Sequence, residues 1–167
     1  MDVTEATWQD EVIERSHREP VVVDFWAEWC GPCRALGPVI EEAAGARGVA
    51  LAKLDVDANQ RIAAEHGIRG IPAVKAFRNG HVVSEFVGAV PKPHVEAWLD
   101  ELTRPGVAET TADPGLKAAL EAYDYEAAFE LLLARKDRET MVALFAELGH
   151  EHPLVMRYRR RLAAALY

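Results

Sequence analysis

Cys30 and Cys33 are the residues whose type and spacing most clearly indicate chemistry in this chain of 167 residues. Two cysteines separated by two residues, here Gly31 and Pro32, can close a small disulfide ring and open it again. A short apolar run over residues 20–25 precedes the pair and predicts a buried strand, and the residues after Cys33 predict a helix. The sulfur of Cys30 would therefore lie at a helix N-terminus, where unsatisfied backbone N–H groups favour a thiolate.

A zinc or iron–sulfur site is the alternative chemistry for this cysteine pair. Zinc usually takes four ligands, and the chain contains only these two cysteines. None of the six histidines has a ligand-like spacing to the pair, although His150 and His152 lie close together near the C-terminal end. In a reducing compartment such a pair is more often catalytic or metal-binding than structural. We therefore expect thiol–disulfide chemistry, a Cys30–Cys33 disulfide in the oxidised state, and no metal or other cofactor.

Composition and charge argue against several other classes of function. The formal net charge is −8, and residues 1–103 carry most of it, with 10 Lys and Arg against 17 Asp and Glu. Nucleic-acid-binding proteins present a basic face, so we expect no nucleic-acid partner. No apolar run approaches the roughly 20 residues of a membrane span, and the first residues do not resemble a signal peptide. We therefore expect a globular cytoplasmic protein with no membrane partner.

Hydrophobic periodicity predicts the elements that position the two cysteines. A very short first strand is expected before a helix over about residues 5–17, for which Thr4 is the predicted N-cap. Pro38 should kink the helix that follows the cysteines, because proline lacks an N–H and crowds the preceding turn. The order βαβαββα predicts an α/β fold with a mixed sheet, a βαβ unit followed by an antiparallel hairpin around Asn79-Gly80. The other predicted strands are 21–26, 49–56, 73–77 and 81–87, and the other helices end near residues 45, 66 and 102.

The C-terminal third predicts a separate helical region. Residues 104–114 are polar and turn-rich and predict a linker between a domain at 1–103 and a second one at 115–167. No second copy of segment 123–133 is visible at a period near 34 residues, so a long repeat array is not predicted. The sequence indicates a small all-α helical-hairpin region with helices at about 116–122, 125–135, 137–148 and 152–166.

Residues 24–33, Asp-Phe-Trp-Ala-Glu-Trp-Cys-Gly-Pro-Cys, closely resemble the signature of the thioredoxin family. Lys53 on the next strand, Ile71-Pro72 before the hairpin, and Asn79-Gly80 followed by Gly88 also fall where that family has them. The resemblance covers roughly residues 2–103. It implies a thioredoxin fold, with a mixed central sheet flanked by helices, and the activity of a protein-disulfide reductase.

The resemblance also implies a role for each matching residue. Cys30, nearer the helix start and more exposed, attacks a substrate disulfide, and Cys33 resolves the mixed disulfide. Asp24 is the buried acid that shuttles protons to Cys33, with Lys53 nearby; the alternative for Asp24 is a strand-end position facing water. A buried carboxylate is costly, so Asp24 should be protonated or paired. Pro72 would be the family's cis-proline, Trp26 is expected in the core, and the substrate groove would be formed by Trp29, Gly31, Pro32, Gly70, Ile71, Pro72 and Gly88.

The helical tail resembles the C-terminal part of the YbbN/CnoX-type proteins, in which a thioredoxin domain is fused to tetratricopeptide-like helices. The likeness rests on residues 144–149, 153–155, 158–162 and 166–167, and the helical region is shorter here than is usual in those proteins. It implies a co-chaperone or redox-protection role, with a chaperone, chaperonin or client protein as a possible partner of the tail. The thioredoxin part implies protein disulfides as substrates, and thioredoxin reductase or another thiol donor as the reductant.

Two other functions and two interpretations of the tail stay open at the level of the sequence. If the protein is not a chaperone-linked reductase, it is either a general thioredoxin with an incidental tail or a mainly non-enzymatic holdase or adaptor. The presence of both cysteines favours redox competence. A basic run in the last helix is either a site for an acidic partner or a solvated helix face; it consists of Arg157, Arg159, Arg160 and Arg161 beside Tyr158.

Overall fold

The structure is a computed structural model that describes residues 1–165. The chain divides into two compact units, a first unit of Met1–Arg104 and a second unit of Pro105–Tyr167. In the part of the chain that the structure describes, no helix is long and apolar enough to cross a membrane.

The first unit contains a four-stranded sheet with helices packed on it. The strand order is β2-β1-β3-β4, in which β1 pairs parallel with β2 and antiparallel with β3, and β3 pairs antiparallel with β4. The mixed sheet and the thioredoxin fold predicted from the sequence are confirmed. The elements are β1 (Val21–Trp26), α1 (Gly31–Arg47), β2 (Ala50–Asp55), α2 (Gln60–Glu65), β3 (Ala73–Arg78), β4 (His81–Val87) and α3 (Lys92–Leu102).

The pleat of β1 determines which side chains face the site. Alternate residues of a strand point to opposite faces of the sheet. The odd-numbered residues of β1 belong to one core cluster, together with Trp8. Val22 belongs to a second cluster, which it shares with apolar residues of α1 and α3. Asp24 and Trp26 lie on the same face as Val22, so the strand directs the Asp24 carboxyl towards the layer of helices that begins at the cysteines.

The N-terminal segment differs from its prediction. In place of one α-helix over residues 5–17, the structure has a π-helix at Gln9–Glu14 and a 3-10 turn at Arg15–His17, and Thr4 does not cap the π-helix. The tight turn places Ser16 where its carbonyl and hydroxyl accept hydrogen bonds from the Asn79 and Gly80 N–H groups, at 2.9 and 2.8 Å. The predicted first strand is reduced to a single bridge between Asp2 and Lys53.

The second unit is a set of helices around its own core. Its elements are α4 (Val107–Thr110), α5 (Pro114–Glu121), α6 (Tyr125–Arg135), α7 (Arg138–Leu148) and α8 (Pro153–Ala165). Asp113, Asp124 and Asp137 cap α5, α6 and α7 by accepting backbone N–H groups of their first turns. The predicted end of the last helix at Leu166, and the likeness at residues 166–167, lie outside the described residues.

The stretch predicted as a linker, residues 104–114, contains the helical turn α4. Val107 is buried with the apolar residues of the second unit, and its N–H group donates to Glu147 Oε2 at 2.9 Å. Gly106 permits this approach, because a Cβ at that position would lie 2.7 Å from Glu147 Oε1. Most of the stretch therefore belongs structurally to the helical unit, although its polar composition is typical of a linker.

Candidate functional site

The two cysteines lie where β1 leads into α1. Cys30 is the N-cap of α1, and its sulfur accepts a hydrogen bond from the Cys33 backbone N–H at 3.2 Å. Pro32 occupies the first turn of the helix, where its missing N–H leaves no helical hydrogen bond unmade. The sulfurs are joined in a disulfide of 2.05 Å, with the Cα atoms 5.3 Å apart. The local sequence thus places one sulfur at the positive end of a 17-residue helix.

The two cysteines are equally buried in this oxidised state. Cys30 is 3% exposed and Cys33 4% exposed, so the expectation that Cys30 is the more accessible of the two is wrong here. The disulfide holds both sulfurs in one small cluster with Ala27, against which Val56 and Ile71 pack. A difference in accessibility would have to arise when the S–S bond opens.

Asp24 is buried on β1, in a strand that is otherwise apolar on both faces. Its residue is 1% exposed, and its Oδ1 atom has no hydrogen-bond partner among the described residues. Burial raises the pKa of the carboxyl from 3.8 to about 6, a rise that the Lys53 ammonium opposes and the Glu41 carboxylate reinforces. Asp24 therefore exchanges its proton near neutral pH, which an exposed aspartate does not.

Lys53 lies opposite Asp24 in the register of β1 and β2, but its ammonium is bound elsewhere. Nζ is 2.8 Å from Glu41 Oε1 on α1 and 5.5 Å from the centre of the Trp26 ring. The hydrogen bond to Glu41 is the largest of the effects that raise the pKa of Lys53. Glu41 was not among the residues expected from the sequence. It is one of two adjacent glutamates on the exposed side of α1, and only the tertiary structure brings it to Lys53.

The residues predicted to line a substrate groove come from three separate segments of the chain. Trp29 is 68% exposed, and its indole N–H donates to Asp57 Oδ2 at 2.7 Å, a partner that the sequence did not indicate. The Ile71–Pro72 peptide bond is cis, as the resemblance to thioredoxins implies. The Pro72 carbonyl accepts a hydrogen bond from the Gly88 N–H at 2.7 Å, and Gly88 has φ +97°, a conformation that favours glycine. Gly31, Pro32 and Gly70 are exposed, and Ile71 packs on the cysteine cluster.

Comparison with known proteins agrees with this geometry. The family model described as "Thioredoxin" matches residues 1–101, which include every site residue discussed above. The chain belongs to the thioredoxin family. A second model, described as "Tetratricopeptide repeat", matches residues 116–167.

Three curated relatives of this thioredoxin-family protein are themselves thioredoxins. It is 46% identical over 101 residues to thioredoxin 1 of Synechococcus elongatus, a match that covers 59% of this chain and 92% of the relative. It is 40% identical to the thioredoxin of Rhodospirillum rubrum over 100 residues, with 59% and 94% of the two chains covered. For the thioredoxin of Chlorobaculum thiosulfatiphilum the identity is 45% over 102 residues, with 60% and 93% covered. The protein is a thiol–disulfide oxidoreductase of this family, with an additional helical unit similar to a tetratricopeptide repeat.

The basic run of the helical unit is largely engaged within the unit. Arg157 and Arg161 of α8 form ion pairs with Glu126 and Glu130 of α6, respectively. The two arginines are four residues apart on α8, and the two glutamates are four residues apart on α6, so each set lies on one helix face. The buried Tyr158 hydroxyl between the two arginines donates to Glu130 Oε1 at 2.6 Å. The remaining two residues of the run are Arg159, which contacts His150 and the Phe145 ring, and the exposed Arg160. These contacts connect helices within the second unit, as a structural role of the run would require.

Proposed function

We propose that the protein reduces disulfide bonds in other proteins through a mixed disulfide at Cys30. The Cys30 thiolate attacks one sulfur of the substrate disulfide, forms the Cys30–substrate bond and releases the other substrate sulfur as a thiolate. Cys33 then attacks Cys30, which forms the intramolecular disulfide and releases the second substrate thiolate. Two electrons pass from the dithiol to the substrate, and the product is the oxidised protein with the Cys30–Cys33 disulfide described above. Thioredoxin reductase or another thiol donor would return the pair to the dithiol.

The position of Cys30 as the N-cap of α1 is the single observation that carries this assignment. In the reduced state, the backbone N–H groups of the first turn and the helix dipole stabilise negative charge on a sulfur at that position. The Cys33 N–H already donates to the Cys30 sulfur in the oxidised state. Cys33 lies within the first turn, behind Cys30, which suits a resolving thiol that needs to reach only one other sulfur.

Asp24 is proposed as the proton acceptor for Cys33, with Lys53 as its neighbour. With a pKa of about 6, the carboxyl is mostly ionised at pH 7 but close enough to neutrality to take a proton from a thiol and return it. The groove residues Trp29, Gly70, Ile71, Pro72 and Gly88 would hold an extended substrate segment beside the disulfide. Exposed backbone N–H and C=O groups next to the thiols can form main-chain hydrogen bonds with such an extended segment.

For the helical unit we propose a chaperone-linked role in the cytoplasm, in which it recruits client proteins or a chaperone to the thiols. The match to the tetratricopeptide repeat model supports this, because such helical hairpins commonly provide protein-binding surfaces. Chemistry that depends on one exchangeable cysteine pair also suits a reducing compartment. A general thioredoxin with a structural tail is the second candidate, which the ion pairs between α8 and α6 favour.

A trapping experiment tests the enzyme and the tail together. The Cys33→Ser variant should accumulate mixed disulfides with its substrates, whereas Cys30→Ser, the matched control, should trap none. The same trap in a chain ending at Arg104, the boundary of the first unit, should capture fewer proteins if the tail recruits clients. Unchanged capture would contradict the recruiting role. Failure of the wild-type protein to reduce insulin disulfides with a thiol donor would contradict the reductase assignment.

A further inference from the structure

We propose that Glu41 is a positioning residue: its carboxylate holds the Lys53 ammonium away from direct contact with Asp24 and thereby controls how readily Asp24 exchanges its proton. The inference rests on the proposed role of Asp24 as the proton acceptor for Cys33. Among the described residues, Glu41 of α1 forms its ion pair with Lys53, and no hydrogen bond or ion pair joins it to the cysteines or to the predicted groove residues.

The contacts of Lys53 show how it is held. Its Nζ atom is bound by Glu41 Oε1 at 2.8 Å and lies 5.5 Å from the centre of the Trp26 ring, while no hydrogen bond joins it to Asp24 among the described residues. Gly37 lies one turn before Glu41 on α1, and a Cβ at that position would lie 3.9 Å from Nζ. Gly37 leaves room for the Lys53 ammonium on the surface of α1, and Glu41, four positions later, binds it.

Two charged groups act on Asp24, one from β2 and one from α1. On β2 its register partner is Lys53, whereas on β3 its partner is the uncharged Val74. From α1 comes the charge of Glu41, which acts on Asp24 and on Lys53. Asp2, the bridge partner of Lys53 at the N-terminus, adds a second carboxylate that acts on Lys53. The two cysteines carry no charge while they are joined in the disulfide.

Removal of the Glu41 charge has two effects of the same sign on Asp24. The negative charge that raises the pKa of Asp24 is lost, and the Lys53 ammonium becomes free to approach the carboxylate and stabilise it. Both effects lower the pKa of Asp24. A less basic Asp24 takes a proton from Cys33 less readily, so Glu41 keeps the carboxyl in the range that suits proton exchange at neutral pH.

Titration of Asp24 in the full-length oxidised protein tests this directly, with the carboxyl carbon followed by NMR. The variant Glu41→Gln should lower the titration midpoint by about 0.5 to 1 pH unit, the scale of one partly screened neighbouring charge. Glu42→Gln is the matched control, because it removes the same charge from the adjacent residue, which pairs with Lys92 instead of Lys53. An unchanged or raised midpoint in Glu41→Gln, or an equal shift in both variants, would overturn the proposal.

The Lys53→Met background tests whether Glu41 acts through Lys53. There, Glu41→Gln should shift the Asp24 midpoint by less than half as much as in the wild-type background, and a full shift would contradict a positioning role. The acid limb of the pH profile for mixed-disulfide resolution should move with the midpoint. Because the NMR titration needs no turnover, an inactive wild-type protein would refute the reductase and leave this test intact. If the protein is an active reductase but the Asp24 titration midpoint is unchanged in Glu41→Gln, the positioning role alone is refuted.

Discussion

The buried carboxyl of Asp24 should destabilise the oxidised protein at neutral and alkaline pH, and its replacement by asparagine should remove that cost. Asparagine keeps the shape of the side chain but carries no charge at any pH in the experiment. The folded-state pKa of about 6 lies above the value of 3.8 for an unperturbed aspartate. Each pH unit of difference corresponds to about 1.4 kcal/mol, so the ionised folded state is disfavoured by about 3 kcal/mol.

The sign of the pH dependence follows from the raised pKa. The folded protein binds the Asp24 proton more tightly than the unfolded chain does, so the stabilisation is fully present below pH 3.8 and is lost as the pH rises through about 6. The free energy of unfolding of Asp24→Asn, relative to wild type, should therefore increase by about 2 kcal/mol between pH 4 and pH 8. Asp100→Asn is the control, because the hydrogen bond from Arg47 lowers the pKa of Asp100. Asp100 therefore stays ionised between pH 4 and pH 8, and the stability of this variant relative to wild type should change little over that range.

Urea unfolding of the oxidised proteins, followed by tryptophan fluorescence, measures this difference. All four tryptophans lie within the first 104 residues, so the signal reports the first unit. The comparison of variant with wild type at each pH cancels the other titrating groups. A difference that is the same at pH 4 and pH 8, or that falls with pH, would refute the description of Asp24 as a buried acid with a raised pKa.

Two further predictions concern hydrogen bonds within each unit. Ser16→Ala should reduce the stability of the first unit by about 1 kcal/mol in the same assay, because the half-buried Gly80 N–H loses its hydrogen bond to the Ser16 hydroxyl. Amide exchange at Gly80 that stays as slow as in wild type would contradict this. Tyr158→Phe should reduce the stability of the second unit by about 1 kcal/mol, because the hydroxyl bond to Glu130 is lost while the stacking on Phe129 is kept. Circular dichroism during urea unfolding measures the second effect, and the tryptophan transition serves as its control.

Features specified by neighbouring residues were predicted well from the sequence. The strand β1 and the hairpin at Asn79-Gly80 follow from local patterns of apolar and turn residues, and the hairpin strand His81–Val87 has the predicted bounds. The cis bond at Pro72 is different, because only about 5–6% of X–Pro bonds are cis and the expectation came from family resemblance alone.

Features that depend on contacts distant in sequence were missed or incomplete. Glu41 is adjacent to another glutamate, and nothing local distinguishes the one that binds Lys53 from the one that binds Lys92. The N-terminal helix was expected to be regular, but Ser16 instead adopts a tight turn that meets the hairpin. Val107 lies in a polar stretch without hydrophobic periodicity, so the sequence did not predict that it is buried in the core of the helical unit.

The division of the chain into two units coincides with a division of its fluorescent residues. All four tryptophans precede Arg104, and all four tyrosines follow Pro105. Any energy transfer from tyrosine to tryptophan therefore has its donor in the second unit and its acceptor in the first. The unlabelled protein thus carries its own donor and acceptor groups, and a change of transfer efficiency on binding a substrate or on reduction would report movement between the units in solution.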